Sequence, residues 1–284
     1  LLKVCSMDTG INSRNFPGGS MRMLVAVAQI SPKVGEFERN LVKMKELIDE
    51  AGEKKAKLIL FPELSLTGYT WDEDVLMKGW IFFKDEAKKE LLKLSRTYDM
   101  CIVGGVSRVL NGRLRNSAFV IKKKREILFY DKTHLFRGEK SVFEAGSNFL
   151  TFTFKSVVFG VLICYEIGFP EIARILALRG SQIILSLFAF GKERYNIFDI
   201  ATRARALENG SFLLVSSTCG KGFMDFVGHS RIVSPRGEVV KELAFDEGLI
   251  LEDLDLNILD KYRYEEIEDS HAYFKNRRPE IYRE

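Results

Sequence analysis

Val157-Val158-Phe159-Gly160-Val161-Leu162-Ile163-Cys164-Tyr165-Glu166-Ile167-Gly168-Phe169-Pro170-Glu171 joins a strand, a thiol and a helix start in one short stretch. The run up to Ile163 carries no polar side chain, as in a buried strand. Pro170 holds the first position of the next amphipathic stretch, where its fixed φ and missing N–H suit a helix N-terminus. A thiol between the two stands where an α/β protein places a nucleophile. Free cysteine is also a common core residue, so Cys164 acquires chemical meaning only from other segments.

On either side the pattern alternates strand and helix. Residues 24–30 read as a short apolar strand. Phe37, Leu41, Met44, Ile48 and Ala51 recur at helical spacing until Gly52. Residues 58–61 make a second buried strand broken by Pro62, a charged helix covers 85–98, and 101–106 is a third strand. Asn111-Gly112 signals a hairpin, with strands expected at 116–121 and 126–130 around Lys122-Lys123-Lys124-Arg125. Thr151-Phe152-Thr153-Phe154 alternates as a half-buried strand does. After Pro170 a helix runs to Gly180 and a strand covers 183–188. The next helix carries Ile197, Ile200, Ala201, Ala204 and Leu207 on one face and ends at Gly210. A strand over 212–217 follows, and Arg236-Gly237 marks a later hairpin. Continuous apolar strands need cover on both faces, and hairpins need mixed strand directions. Two packed sheets with helices outside, an α/β architecture, satisfy every element.

A chain of 284 residues with 46% hydrophobic content buries a substantial core. No Pro/Gly/Ser-rich linker interrupts it, so one domain is expected over residues 21–284. Residues 1–20, ending Asn15-Phe16-Pro17-Gly18-Gly19-Ser20, read as a tag or upstream leader. The net charge of +4 is small against 43 basic and 39 acidic residues. The Lys122 run therefore reads as a solvated hairpin, not a nucleic-acid surface. No apolar run approaches the roughly 20 residues of a membrane span, and no secretory pattern opens the chain, so a cytoplasmic protein is expected. Cys5, Cys101, Cys164 and Cys219 lack metal-type pairing, and three histidines leave little for zinc. No metal, cofactor or disulfide framework is expected.

Two more segments run from an apolar strand into a polar residue and a loop. In Leu60-Phe61-Pro62-Glu63-Leu64-Ser65-Leu66-Thr67-Gly68-Tyr69, Glu63 follows a strand end in apolar surroundings. Desolvation there raises a carboxyl pKa and suits it to general acid/base work. In Phe129-Tyr130-Asp131-Lys132-Thr133-His134-Leu135-Phe136-Arg137-Gly138-Glu139, Lys132 offers a fixed positive charge for an oxyanion if a carboxylate such as Glu139 keeps it protonated.

In order and in context, FPELSLTGY, YDKTHLF and LICYEIGFPE resemble the Glu–Lys–Cys segments of the nitrilase, or carbon–nitrogen hydrolase, superfamily. Gly138–Gly146, Arg203-Ala204-Arg205-Ala206-Leu207-Glu208-Asn209 and Asn276-Arg277-Arg278-Pro279-Glu280 are similar to further family motifs, so the likeness spans residues 23–284.

The resemblance implies an α-β-β-α sandwich and a homodimer or larger assembly. It implies Glu63 as base, Cys164 as nucleophile, and Lys132 with the Tyr165 backbone N–H as oxyanion donors. Glu139 would hold Lys132 charged. Tyr69 is expected to line the pocket, and Phe188 and Ala189 to face substrate. His134 is expected to be structural; Glu166, Arg203 and Arg205 to form ion pairs; Cys101 and Cys219 to pack. Gly168 stands where many relatives carry arginine, and Tyr165 replaces the tryptophan of true nitrilases, which favours amides over nitriles. The expected activity is hydrolysis of a small amide or carbamoyl amide through a thioester. Nitrile hydrolysis, acyl transfer and a non-catalytic binding role are the alternatives. Loops 70–84 and 191–196 are expected to set specificity, with Trp71, Trp80, Phe82 and Phe83 crowding the first.

Overall fold

The computed structural model describes residues 21–122 and 127–282. The stretch 1–20 expected to be a tag or leader, and the Lys122 run beyond Lys122 itself, lie outside them. In chain order the elements are β1 (Arg22–Gln29), α1 (Phe37–Glu53), β2 (Leu58–Leu60) and α2 (Glu73–Phe82). A π turn over Phe83–Ala87 then leads to α3 (Lys88–Tyr98), β3 (Cys101–Leu110), β4 (Arg113–Ile121) and β5 (Ile127–Asp131). The second half holds α4 (Glu139–Val142), β6 (Thr151–Phe154), β7 (Val157–Ile163), α5 (Pro170–Leu178), β8 (Ile183–Phe188) and α6 (Tyr195–Leu207). It closes with β9 (Phe212–Ser217), β10 (Arg231–Val233), β11 (Val239–Glu242), β12 (Gly248–Asp255) and α7 (Ile258–Tyr264).

Twelve strands form two mixed sheets, ordered β12-β1-β2-β3-β4-β5 and β11-β10-β9-β8-β7-β6. In each sheet three central strands run parallel and antiparallel neighbours flank them. Parallel neighbours need a crossover, and α1, α2–α3, α5 and α6 supply the four. Strand period two sorts the side chains. Val25 and Val27 enter the core shared with Val161, Leu185 and Leu214 of the other sheet, whereas Ala26 and Ala28 meet Met44 and Ile48 of α1. This is the α-β-β-α sandwich.

Two expectations need correction. Residues 73–82 are helix, not loop: Asp72 accepts the Val75 N–H at 3.1 Å and caps the start. Trp80 stacks on Phe83, and Phe82 on Phe37, so these aromatics cover the first sheet and leave only Trp71 near the pocket. Dense apolar residues on several sides of α2 had blurred its period. In α6 the core face is Phe198, Ala201, Thr202 and Ala206, while Ile197, Ile200 and Leu207 are exposed. Small residues beside one Phe let this helix lie close to its sheet, and the longer apolar stripe faces outward. Among the described residues no helix is long and apolar enough to cross a membrane.

Candidate active site

Glu63, Lys132 and Cys164 each follow the end of a strand, β2, β5 and β7. Glu63 follows β2 in a segment, 61–70, that is buried throughout. The segment lies on β3 because position 105 is glycine: a Cβ there would stand 2.1 Å from the Leu64 nitrogen. The Gly105 N–H donates to Pro62 O at 3.0 Å, and Ser65 Oγ donates to Gly105 O at 3.2 Å. Leu64 takes φ +47°, and Cys164, leaving β7, takes φ +50°. Left-handed backbone at such residues costs on the order of 1–3 kcal/mol and persists only where surroundings enforce it.

Glu166 does that enforcing for Cys164. Its carboxylate accepts from the Ile163 N–H (2.6 Å), Tyr130 OH (2.7 Å), Thr133 N–H (2.7 Å) and Thr133 Oγ1 (2.6 Å). The cysteine turn is thereby tied to the segment after Lys132. Glu166 is thus a hydrogen-bond hub, not the ion-pair partner expected from sequence, because no cation among the described residues pairs with it. Arg205 steadies the same turn through Ile167 O at 3.0 Å and pairs with Glu208 at 3.2 Å; Arg203 reaches Asp199 at 3.8 Å.

Lys132 leaves β5 with its N–H on Asn116 O at 2.8 Å. Its Nζ donates to Glu63 Oε1 at 2.7 Å and Glu139 Oε1 at 2.9 Å, all three side chains fully buried. Asn116 Nδ2 donates to the same two oxygens at 2.8 and 3.2 Å. Tyr69 OH donates to Glu139 Oε1 at 2.9 Å, Phe136 N–H to Glu139 Oε2 at 2.7 Å, and Ala189 N–H to Glu63 Oε2 at 3.0 Å. Glu63, Tyr69, Lys132, Glu139 and Ala189 therefore meet in one cluster, and Cys164 feels the charges of its Glu63, Lys132 and Glu139.

Tyr165 presents a partly exposed ring to Phe136 and Phe169, with centroids 5.1 and 5.2 Å away. Phe188 is buried, its ring packed on Phe190 and on Phe198 of α6, so at this strand end it is the Ala189 backbone that touches the cluster. His134 bonds Thr133 Oγ1 at 2.9 Å and lies on Phe169. Asn116 and Gly105 were not foreseen, and Glu166 was foreseen only as an ion-pair residue. The one legible signal for Asn116 was an amide opening an otherwise apolar strand.

Burial pushes the Glu63 carboxyl above the usual carboxylate range; the Lys132 charge pulls it back in part and Glu139 adds to the rise. Burial works against the Lys132 ammonium, yet Glu63 and Glu139 outweigh it and hold Lys132 well above its ordinary value. The Cys164 thiol is pushed well up, first by burial and then by Glu63, with Lys132 opposing. The resting cluster therefore holds a protonated thiol beside a base of raised affinity and a firmly charged ammonium. An ammonium has three N–H donors; two go to carboxylates and one is left for a ligand. Such a site can activate a thiol and neutralise an oxyanion without an imidazole.

An α-β-β-α sandwich carrying a buried Cys–Glu–Lys cluster at its strand ends defines a class of enzymes that act on carbon–nitrogen bonds. The carbon-nitrogen hydrolase family model matches residues 24–264, and the chain belongs to that family. It is 31% identical to a probable nitrilase of Schizosaccharomyces pombe, over 93% of this chain and 98% of that one. To a nitrilase of Pyrococcus abyssi it is 33% identical, over 91% and 98%. Among solved structures, an amidase of Nesterenkonia AN1 from the nitrilase superfamily superposes with TM-score 0.80 at 27% identity, covering 93% of this chain and 97% of that one. The protein is an enzyme acting on C–N bonds.

Proposed function

We propose that the protein hydrolyses small non-peptide amides to acid and ammonia or amine, with Glu63, Lys132 and Cys164 as catalytic residues. The observation that carries this reading is the Lys132 ammonium held between Glu63 and Glu139 beside the Cys164 thiol, in a fully buried cluster. Glu63 takes the thiol proton, and sulfur forms a bond to the amide carbon as the carbonyl π pair moves onto oxygen. The free N–H of Lys132 and the Tyr165 backbone N–H receive that oxyanion. As the C–N bond breaks, protonated Glu63 gives its proton to the departing nitrogen, leaving a thioester. Water, deprotonated by Glu63, adds to the thioester carbon. The C–S bond then breaks, and the proton returns to sulfur. Glu139 keeps Lys132 charged throughout, and Tyr69 and Asn116 hold Glu139 and Glu63 in place.

Likeness to the amidase supports amides over nitriles. Of that protein, one structure is a complex with butyramide, and another carries the acetamide moiety of fluoroacetamide on the active-site cysteine. Assay of ammonia release from a panel of aliphatic amides and nitriles, with Cys164→Ala as control, tests the reading. Turnover of amides by the native protein alone is expected. Equal turnover by the alanine variant would remove the thioester route, and amine-dependent product without free acid would indicate acyl transfer. The free thiols Cys101, Cys164 and Cys219 support a reducing compartment, the cytoplasm. The outward apolar stripe of α6 supports a homodimer.

A further inference from the structure

We propose that α5 and the segment after α7 together build a phosphate-binding site, with Arg174 and Arg277 as the residues that grip the anion. A cavity of about 460 Å³ is lined by Arg174, Glu208, Tyr273, Asn276, Arg277 and Tyr282, none of which belongs to the Cys164 cluster. Arg174 stands on α5 and reaches to the end of α6, where its Nη2 donates to Glu208 O at 2.6 Å. Its Nη1 is buried and meets no hydrogen-bond partner. A buried donor left unpaired is costly, and an acceptor from outside the chain would satisfy it.

Three guanidinium groups crowd this corner. Arg174 lies 5.7 Å from the Phe274 ring centroid, and Arg263 lies 5.4 Å from the same ring. Arg277 lies 5.5 Å from the Tyr282 ring. Arg263 is the structural member: it is buried, and Gly210 O at 3.0 Å, Ser181 O at 2.5 Å and Ser211 Oγ at 2.7 Å take its donors. Neither Arg174 nor Arg277 has an ion pair among the described residues. The two acids at hand are already engaged. Glu208 pairs with Arg205 at 3.2 Å, and Glu266, bonded by Asn276, pairs with Lys275 at 3.4 Å. Elsewhere this fold answers an inward guanidinium in full: Arg231 is met by Asp199 at 2.6 Å and Glu242 at 2.9 Å.

Burial lowers the Arg174 pKa, and the Arg277 charge adds to the fall against the support of Glu208. Two like charges that feel each other in a half-buried corner repel until an anion joins them. Phosphate suits the pair better than a monocarboxylate does. As a dianion it offsets both charges, and its oxygens accept from two guanidinium forks at once. The exposed rings of Tyr273 and Tyr282 flank the cavity, which is larger than the ion alone and has room for the organic part of a phosphate ester.

The test is calorimetric titration of the native protein with inorganic phosphate, at an ionic strength held constant with sodium chloride. One saturable site per chain is expected, with Kd below about 1 mM. Arg277→Gln should weaken binding by about 10- to 100-fold, and Arg277→Lys should restore part of it. Arg277 has no internal ion pair to lose, so this variant keeps the fold even where Arg174→Gln, which should weaken binding alike, does not. Titration with AMP and with adenosine separates the two sources of phosphate. AMP tighter than phosphate, with adenosine silent, assigns a phosphate ester; AMP no tighter than phosphate assigns the free ion. Adenosine binding as well as AMP would overturn the proposal. So would the absence of saturable phosphate binding at about 10 mM, or an affinity that Arg277→Gln leaves unchanged.

Discussion

Oε1 of Glu63 and Oε1 of Glu139 are bridged twice, once by Lys132 Nζ and once by Asn116 Nδ2, with no donor–acceptor separation above 3.2 Å. Two buried carboxylates this close are tolerable only because an ammonium and an amide stand between them. Lys132→Ala should abolish turnover and destabilise the fold by about 3–5 kcal/mol, the usual result of leaving a buried charge unpaired. The deficit should shrink as pH falls, because orphaned carboxylates escape by taking protons. In the native protein the Lys132 contribution is present at neutral pH and lost only above the ordinary lysine range, since its folded pKa is raised. Urea unfolding across pH checks both signs, and a variant as stable as the native protein at pH 8 would show that the bridge does not hold the cluster.

Asn116 acts through the two carboxylates, so it is a positioning residue. Asn116→Ala removes hydrogen bonds to charged acceptors, each worth about 1.5–3 kcal/mol. A fall in kcat of about 10- to 100-fold is expected. A hydrogen bond to the charged form also lowers a carboxyl pKa. Its loss should therefore move the acid limb of the kcat/KM profile to higher pH. A variant slowed without any shift of that limb would have only a packing defect.

Glu63 must be ionised to accept the thiol proton, and burial raises its pKa. The acid limb of kcat/KM should then lie above the ordinary carboxylate value of about 4.3. The linkage to folding has a definite sign. The unfolded chain releases this proton near its ordinary pKa, while the folded state keeps it to higher pH. Stability contributed by protonated Glu63 is thus present at low pH and lost as pH rises through the raised folded value. Glu63→Gln should cut kcat by about 10²- to 10⁴-fold and flatten that part of the stability profile. An acid limb at or below the ordinary value would contradict the desolvated base.

The sandwich was legible because each parallel strand is a short apolar run with a helix to cross over it, and the meeting of Glu63 with Lys132 near Cys164 because each of the three ends such a run. Asn116 escaped because the expected hairpin carried no register, and it is the pairing of Ser117 with Asp131 that brings Asn116 beside Lys132. Gly105 escaped because a glycine in a strand says only that something approaches, and the approaching segment here is 40 residues away in sequence. Glu166 was read as a charge seeking a cation, yet backbone N–H groups and hydroxyls satisfied it.

Cys164 should react despite its raised pKa, because Glu63 lies at hand to accept its proton. Iodoacetamide at pH 7.5 should label Cys164 far faster than Cys101 or Cys219. Cys101 is fully buried, and burial pushes Cys219 up to about 12, with the charges of Glu247 and Asp246 adding to the rise. Glu63→Gln should slow labelling of Cys164 by about tenfold or more. Peptide mapping of the alkylated protein reads all three sites at once. Equal labelling of Cys164 and Cys219 would argue that position 164 is only a packed thiol.

The outward face of α6 predicts an assembly. Ile197 and Ile200 are 54% and 60% exposed, and Leu207 lies on the same stripe. Leaving such a stripe in water forgoes about 25 cal/mol for each Å² that a partner would cover. A second copy offers an identical stripe, and a two-fold axis lets the two self-complement. Light scattering should give twice the chain mass at micromolar concentration. Ile200→Glu would place a carboxylate at the centre of that contact, and like charges would face each other across the axis. Dissociation should then rise by at least 100-fold, with the thermal midpoint becoming independent of protein concentration. A native protein that stays monomeric at high concentration, or an Ile200→Glu variant that dimerises as well as the native one, would place the interface elsewhere or remove it.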